Sequence, residues 1–169
     1  MSFLQRVPAC PTARYGAAET RSASVIRGYW NNPKATAESF TAGFWHSGDL
    51  GSVDAENFVR VFDRQKDMIN RGGLKIYSAE VESVLASHPD VVESAIIAKP
   101  CPVLGERVHA VVVVRRDVGS EMLRAWCAER LSDYKVPETI DLTSDPLPRN
   151  ANGKVMKRQL REAGEAARN

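Results

Sequence analysis

The spacing of apolar and polar residues predicts several short strands along the chain. Residues 50–53 and 58–62 flank the turn-rich tetrapeptide DAEN, which indicates a β-hairpin. Residues 92–98 and 108–115 are rich in β-branched side chains, as strands are. The second of these runs has valines on both faces, which is typical of a central strand that is covered on both sides. Apolar residues within 140–142 indicate a short last strand.

Apolar residues at helical spacing predict four helices. Asn32 is a capping residue directly before Pro33, and this pair favours a short helix there. A second helix is expected to begin at Ser78, whose hydroxyl would cap it. Residues 120–131 and 156–163 also carry apolar residues at helical spacing, with charged residues outside.

These elements suggest three parts of the chain. From residue 64 to the C-terminus the order is strand, helix, strand, strand, helix, strand, helix, which describes a small α+β domain over 64–169. Residues 22–63 hold the first helix and the hairpin. Residues 1–21 show no periodicity and contain two prolines, so we expect them to be a flexible lead-in.

Composition and charge narrow the classes of function. The 169 residues are 43% apolar and 26% charged, which is ordinary for a globular protein and excludes a disordered chain or a membrane-spanning bundle. The net charge of +2 gives no reason to expect a nucleic-acid partner. Three cysteines without CxxC spacing indicate neither a disulfide framework nor a metal site, and we expect a cytoplasmic protein.

Four short segments contain candidate catalytic or ligand-binding residues. In HSGDLG, Asp49 can accept hydroxyl hydrogen bonds from a sugar, although a carboxylate at a strand end is often structural. The charged run at 63–67 can equally be a solvated connection with local ion pairs. Residues 70–75 can bring backbone N–H groups and two cations to an anion, or they can be a glycine turn. In LPRNANGK, Lys154 is expected at the start of a helix, where the macrodipole disfavours a cation unless an anion is present.

Six segments, taken in order, resemble the adenylate-forming (AMP-binding) enzymes, and among them the acyl-CoA synthetases and fatty-acid–CoA ligases. The segments are RGYWNNPKATAESF, FWHSGDLG, VFDRQKDMINRGGLKIYSAEVESVL, HPDVVESAIIAKPCPVLGERVHAVVVVR, LRAWCAERLSDYKVP and LPRNANGKVMKRQLR. The resemblance implies that residues 64–169 are the family's small C-terminal lid domain, a three-stranded sheet flanked by helices. It also implies that residues 22–63 are a β-hairpin strip of the family's large N-terminal domain.

The resemblance further implies a reaction in two steps. A carboxylic acid and ATP give an acyl-adenylate and pyrophosphate, and CoA then displaces AMP, so the implied ligands are ATP or AMP, CoA and Mg²⁺. Asp49 matches the aspartate that holds the ribose hydroxyls, and Arg64 matches an arginine that contacts the nucleotide. Lys154 matches the lysine that contacts carboxylate and phosphate oxygens during adenylation.

Two other positions are implied to serve the second step. Gly72 and Gly73 match glycines that line the approach of CoA, where a side chain would block it. Lys66 matches the hinge about which the lid domain turns between the two half-reactions.

The family's phosphate loop, adenine pocket, metal-binding acid and acyl tunnel have no counterpart in this sequence. We therefore expect a truncated or interrupted acid–CoA ligase that is inactive alone and binds none of these ligands tightly. One alternative is a lid that completes a separately encoded N-terminal AMP-binding domain. Another is a non-catalytic interaction module, and self-association through the open edge of the hairpin is a further expectation.

Overall fold

In the computed structural model, tertiary contacts divide the chain after Lys66 into two units. The structure describes the backbone of residues 2–4, 13–56, 58–116 and 118–166. The first unit ends at Lys66 and the second begins at Asp67. The division falls three residues after the boundary at 63/64 that the sequence indicates.

The first unit is an antiparallel sheet with one short helix. Its strands pair in the order β1-β2-β4-β3, and β5 also pairs with β4. Its elements are β1 (Ser2–Leu4), β2 (Ala13–Thr20), α1 (Pro33–Ser39), β3 (Phe40–Thr41), β4 (Phe44–Asp54) and β5 (Val59–Arg64). Asn32 caps α1 as expected, because its side-chain oxygen accepts a hydrogen bond from the backbone N–H of Ala35 at 3.0 Å.

Strands β4 and β5 form the hairpin that the sequence predicts. Asp54 sets the turn, because its Oδ1 accepts hydrogen bonds from the backbone N–H groups of Glu56 at 3.1 Å and Phe58 at 2.8 Å. A bulge lies between Leu50 and Gly51. A Cβ atom on Gly51 would lie 2.3 Å from the carbonyl oxygen of Arg60, so glycine permits the close approach of the two strands.

The lead-in expected over residues 1–21 differs from the structure. Strand β2 pairs antiparallel with β4 from Ala13↔Asp54 to Thr20↔Trp45, so the hairpin has a neighbouring strand on its other edge. The sequence ARYGAAET contains mainly small and polar residues, and no apolar alternation identifies it as a strand. Its pairing with β4, which is distant in sequence, determines its conformation.

The second unit is a five-stranded sheet with helices packed on it. Strands pair in the order β10-β9-β6-β7, β8 also pairs with β9, and only the β9–β10 pair is parallel among the described strands. Its elements are β6 (Ile69–Arg71), β7 (Leu74–Ile76), α2 (Ser78–Ala86), β8 (Val91–Cys101), β9 (Gly105–Val114), α3 (Ser120–Ala128), a 3₁₀ turn (Asp133–Lys135), β10 (Thr139–Thr143) and α4 (Lys157–Ala166). The expected α+β domain is confirmed, and the short β6–β7 hairpin adds two strands to the three long ones.

Strand β9 is central and covered on both faces, as its valines predict. One face carries Val108, Ala110 and Val112 and packs in the main core. That core also includes buried residues of α2 and α3, namely Val81, Leu85, Leu123 and Cys127. The other face carries Val113, which is buried with Leu147 from the loop before α4.

Ser78 does not cap α2. The residue before the helix, Tyr77, is at the cap position and makes no side-chain capping hydrogen bond. Ser78 is fully buried, and its hydroxyl accepts a hydrogen bond from Nζ of Lys157 at 2.8 Å. The hydroxyl therefore connects α2 to the start of α4 instead of closing the end of its own helix.

His109 of β9 is a buried titratable group on the face that carries Val113. Its side chain is hydrogen-bonded to Thr139 Oγ1 at 2.7 Å, and its Nε2 lies 3.2 Å from Asp141 Oδ2. Nζ of Lys99 lies 3.7 Å from the same carboxylate oxygen. Burial first, and then the charge of Lys99, lower the pKa of His109 to about 4 although Asp141 opposes this.

We expect acid to destabilise the fold through His109. Between pH 6.5 and about 4 the unfolded chain binds a proton at this imidazole and the folded chain does not. The free energy of unfolding therefore rises with pH in that window and decreases as the pH is lowered through it. Urea denaturation at several pH values measures the slope, and His109→Gln should remove this contribution. An unchanged slope in His109→Gln would contradict the assignment.

Candidate functional site

Asp49 and Arg64 lie opposite each other on β4 and β5. They are register partners, and Nε of Arg64 lies 2.7 Å from Oδ1 of Asp49. Within β4, the backbone N–H of Asp49 donates to Ser47 Oγ at 3.1 Å. Gly48 has a φ of +74° and its carbonyl accepts from the backbone N–H of Gln65. The structure thus brings together the two residues to which the sequence assigns nucleotide contacts.

The Asp49 carboxylate retains hydrogen-bonding capacity. Its side chain is 24% exposed and that of Arg64 is half exposed. The ion pair with Arg64 is made through Oδ1, one of the two carboxylate oxygens. A carboxylate with one oxygen on a guanidinium can accept hydroxyl hydrogen bonds with the other, so the pair is chemically suited to a sugar diol.

Gly72 and Gly73 form the two-residue turn between β6 and β7. Their φ values are +58° and +92°, as a tight hairpin turn with two left-handed residues requires. Gly72 N–H donates to the carbonyl of Leu104 at 2.8 Å, and Gly73 N–H donates to Asn70 Oδ1 at 3.0 Å. Both N–H groups are therefore used within the chain, which argues against an anion-binding nest at 70–75.

Lys154 is not at a helix start, contrary to the expectation from the sequence. Helix α4 begins three residues later at Lys157, and Arg149 and Val155 form a β-bridge that closes a small hairpin around positions 150–154. The macrodipole argument therefore does not apply to this lysine. Lys154 instead lies at the end of a tight turn, where backbone hydrogen bonds fix its main chain.

Asn150 holds the backbone of Lys154 from both sides. Its N–H donates to the carbonyl of Lys154 at 2.9 Å, and its Oδ1 accepts from the N–H of Lys154 at 2.9 Å. The side chain of Lys154 is exposed, and it has no ion-pair partner among the residues that the structure describes. The chain thus presents an ammonium group on a fixed backbone with its charge available to a ligand.

Lys66 is the last residue of the first unit. Its position directly before the division agrees with a hinge, although the turning motion stays a prediction from the resemblance.

The residues that hold the backbone around Lys154 are not among the site residues that the sequence predicts. An asparagine three residues before a glycine is a turn signal, and Gly153 has a φ of +76°, so Asn150 was recognisable in principle. Glu93, which pairs with Arg149, lies 56 positions away and no local pattern indicates it.

Other kinds of site have no support among the described residues. No group of three or more His, Cys, Asp or Glu side chains there is placed to hold a metal ion. The thiols of Cys101 and Cys127 are free, and Cys10 lies outside the described residues. None of the described helices is both long and apolar enough to span a membrane.

We expect the conformation of Gly73, and not a lack of space, to require glycine. A Cβ atom there would meet nothing within 4 Å, yet its φ of +92° strains any other residue. Gly73→Ala should lower the free energy of unfolding by about 1–2 kcal/mol, measured by urea denaturation. A Gly73→Ala variant as stable as the wild-type chain would contradict the expectation.

Comparison with known proteins gives a consistent family. Residues 80–154 match the model of the AMP-binding enzyme C-terminal domain. The chain is 41% identical over 155 residues to a 2-succinylbenzoate–CoA ligase of Geobacillus kaustophilus, covering 89% of this chain and 31% of that protein. It is 38% identical to the long-chain-fatty-acid–CoA ligase FadD13 of Mycobacterium tuberculosis, covering 84% of this chain and 28% of that protein. The chain thus spans about a third of the length of these curated relatives.

Solved structures of the same group share the fold. The o-succinylbenzoate CoA synthetase MenE of Bacillus subtilis, in complex with the acyl-adenylate intermediate, has a TM-score of 0.87 and 37% identity. The match covers 95% of this chain and 33% of the MenE chain. Residues 22–169 alone are a smaller share of this chain, so the match extends beyond them. ATP-bound MatB of Rhodopseudomonas palustris has a TM-score of 0.80 and 35% identity, over 93% of this chain and 31% of that one.

Proposed function

Because this chain belongs, through residues 80–154, to the AMP-binding enzyme C-terminal domain family, we propose that it is the C-terminal part of an ATP-dependent acid–CoA ligase. In the proposed reaction a carboxylate attacks the α-phosphorus of ATP and releases pyrophosphate. The thiol of CoA then attacks the acyl carbon of the acyl-adenylate and releases AMP. Relatives of this group have been solved with ATP and with AMP.

The observation that carries the proposal is the way in which Lys154 is presented. Its backbone is fixed on both sides by Asn150, while its ammonium group is exposed without a described carboxylate partner. Because the main chain is already held, only the side chain of Lys154 has to be ordered when its ammonium group meets the carboxylate and phosphate oxygens of the reacting acid and nucleotide. It would stabilise negative charge that develops during adenylation.

Asp49 and Arg64 would hold the nucleotide in the proposed enzyme. The carboxylate oxygen that is not paired with Arg64 would accept the ribose hydroxyls. Arg64 would orient the Asp49 carboxylate, and its half-exposed guanidinium would contact the nucleotide directly.

Gly72 and Gly73 would serve CoA by leaving space, since both of their N–H groups are hydrogen-bonded within the chain. Lys66 would be the hinge that turns the second unit between the half-reactions, as its place before Asp67 suggests. Mg²⁺ would be held by the larger part of the ligase and the nucleotide, because the described residues offer no metal cluster.

We further propose that the 169-residue chain is inactive alone and needs the larger, nucleotide-binding part of a ligase. The relatives that it matches are about three times as long, and the chain corresponds to about 31% of their length. A cytoplasmic location stays a prediction from the sequence.

The alternative of a non-catalytic interaction module, with the exposed inner face of the lid as its surface, stays a prediction from the sequence. Self-association is a separate proposal, and it rests on the edge strand β5. Within the described residues β5 pairs only with β4, and Val59 and Val61 on its surface are 48% and 61% exposed. Such an edge can pair with a second copy of the chain. Concentration-dependent sedimentation of the wild-type chain, abolished by Val61→Lys, would support self-association.

We expect Lys154 to act in adenylation and not in thioester formation. The test uses a chimera in which residues 13–169 replace the matching third of an active 2-succinylbenzoate–CoA ligase. Lys154→Ala should slow acyl-adenylate formation by about 10²–10³, or on the order of 3–4 kcal/mol. Thioester formation from supplied acyl-adenylate should be preserved, because the lid then presents another face.

Two controls accompany this experiment. Lys34→Ala removes an equally exposed lysine from α1 and should leave both half-reactions unchanged. The 169-residue chain alone should give no acid-dependent exchange between pyrophosphate and ATP. Equal losses in both half-reactions of Lys154→Ala, or exchange by the isolated chain, would overturn the proposal.

We expect Lys66→Pro to affect the half-reactions in the opposite way. Proline restricts φ at the hinge and should hinder the turn of the second unit. Adenylation should continue in the same chimera while thioester formation falls, as measured separately with ATP and with supplied acyl-adenylate. Normal thioester formation in Lys66→Pro would show that the chain does not turn at this residue.

A further inference from the structure

We propose that Glu93 is a positioning residue for Lys154. The two side chains do not touch, and Glu93 acts through Arg149 and the turn that ends at Lys154. The inference rests on the proposed function of Lys154. It assigns a role to Glu93 of β8, a residue that has none in the proposed function. The support comes from three successive contacts, from Glu93 to Arg149, from Arg149 to the turn, and within the turn to Lys154.

Glu93 uses both carboxylate oxygens to hold the segment that enters the hairpin. Its Oε1 accepts a hydrogen bond from the backbone N–H of Leu147 at 3.0 Å. Its Oε2 accepts one from Nη2 of Arg149. The Glu93 side chain is 21% exposed and that of Arg149 is 45% exposed, so the pair is partly open to water, and Glu93 is held by two hydrogen bonds where a simple surface ion pair has one contact.

Arg149 connects Glu93 to the turn that ends at Lys154. Its Nη1 donates to the carbonyl of Gly153 at 2.6 Å, the peptide group directly before Lys154. The same guanidinium therefore binds the sheet through Glu93 and the end of the turn through Gly153. Asn150 completes the connection through its two hydrogen bonds with the backbone of Lys154.

Polar contacts hold the exposed part of this turn. Residues 150–154 are all exposed, whereas the buried Leu147 before the turn and the partly buried Val155 after it pack on the same small cluster. Because no apolar side chain of the turn is buried, loss of the Glu93–Arg149 contact should loosen the turn and leave the core intact.

The first test measures amide hydrogen exchange in the full chain by NMR, and it needs no enzymatic activity. Glu93→Gln keeps an oxygen for the N–H of Leu147 but removes the charge that pairs with Arg149. The N–H groups of Asn152, Gly153 and Lys154 should exchange about ten-fold faster, with the amides of β9 unchanged. Glu129→Gln is the matched control, because it removes one charge from an exposed pair with Arg130.

The exchange rates can overturn the proposal in two ways. Unchanged rates at residues 152–154 would show that Glu93 does not hold the turn. An equal increase in β9 would show a general loss of stability and no local positioning. Arg149→Gln removes the contact with Glu93 and also the one with the carbonyl of Gly153, so the double variant should exchange no faster than Arg149→Gln alone.

The second test measures adenylation in the chimera described above. Glu93→Gln should lower the rate of acyl-adenylate formation and leave thioester formation from supplied acyl-adenylate unchanged. In a Lys154→Ala background, Glu93→Gln should cause no further loss, because its effect passes through the lysine. A further loss of the same size would overturn the proposal.

The two tests separate failure of this proposal from failure of the proposed function. If Lys154→Ala leaves adenylation intact, the function proposed for the lysine is wrong, and the exchange rates still decide whether Glu93 holds the turn. If Lys154→Ala abolishes adenylation but Glu93→Gln changes neither exchange nor rate, Glu93 has no positioning role.

Discussion

The second unit depends on one constraint, which is that both faces of β9 must be shielded from water. A strand with valines on both faces is stable only between two layers, because each exposed valine would forfeit about 1.5–3 kcal/mol of burial energy. Helices α2 and α3 cover the face that carries Val108, Ala110 and Val112. The loop before α4, through Leu147, and Leu160 of α4 cover the other. The same requirement therefore places the hairpin that presents Lys154.

The two layers are fastened to the sheet by different interactions. The α2–α3 side has the larger cluster of buried residues, whereas the cluster on the α4 side is smaller and contains Ala95, Val113 and Leu147. Ion pairs supplement the smaller cluster. Nζ of Lys157 lies 2.7 Å from Oε1 of Glu82, and Glu93 pairs with Arg149. Because such pairs have directional geometry, they fix orientation in a way that a small apolar contact does not.

At several positions a structural role and a proposed functional role fall on the same residue. The turn at Gly72–Gly73 requires two left-handed residues whatever ligand approaches it. Asp49 is the register partner of Arg64 and forms an ion pair with it across the hairpin, and the same carboxylate is the group proposed to bind the nucleotide. In such cases the residue type alone does not separate the two roles. They are separated by which half-reaction a substitution at the position affects.

The sequence by itself determined the local elements and the family. Asn32 with Pro33, the DAEN turn and the two-sided valines of β9 are short-range signals, and the order of six motifs identified the AMP-binding enzyme resemblance. Tertiary structure decided what depends on distant partners: the strand Ala13–Thr20 exists through β4, and Ser78 bonds Lys157 instead of capping its helix. Arg149, at the start of the turn that ends at Lys154, contacts Glu93, 56 positions away, and no local pattern encodes a contact over that separation.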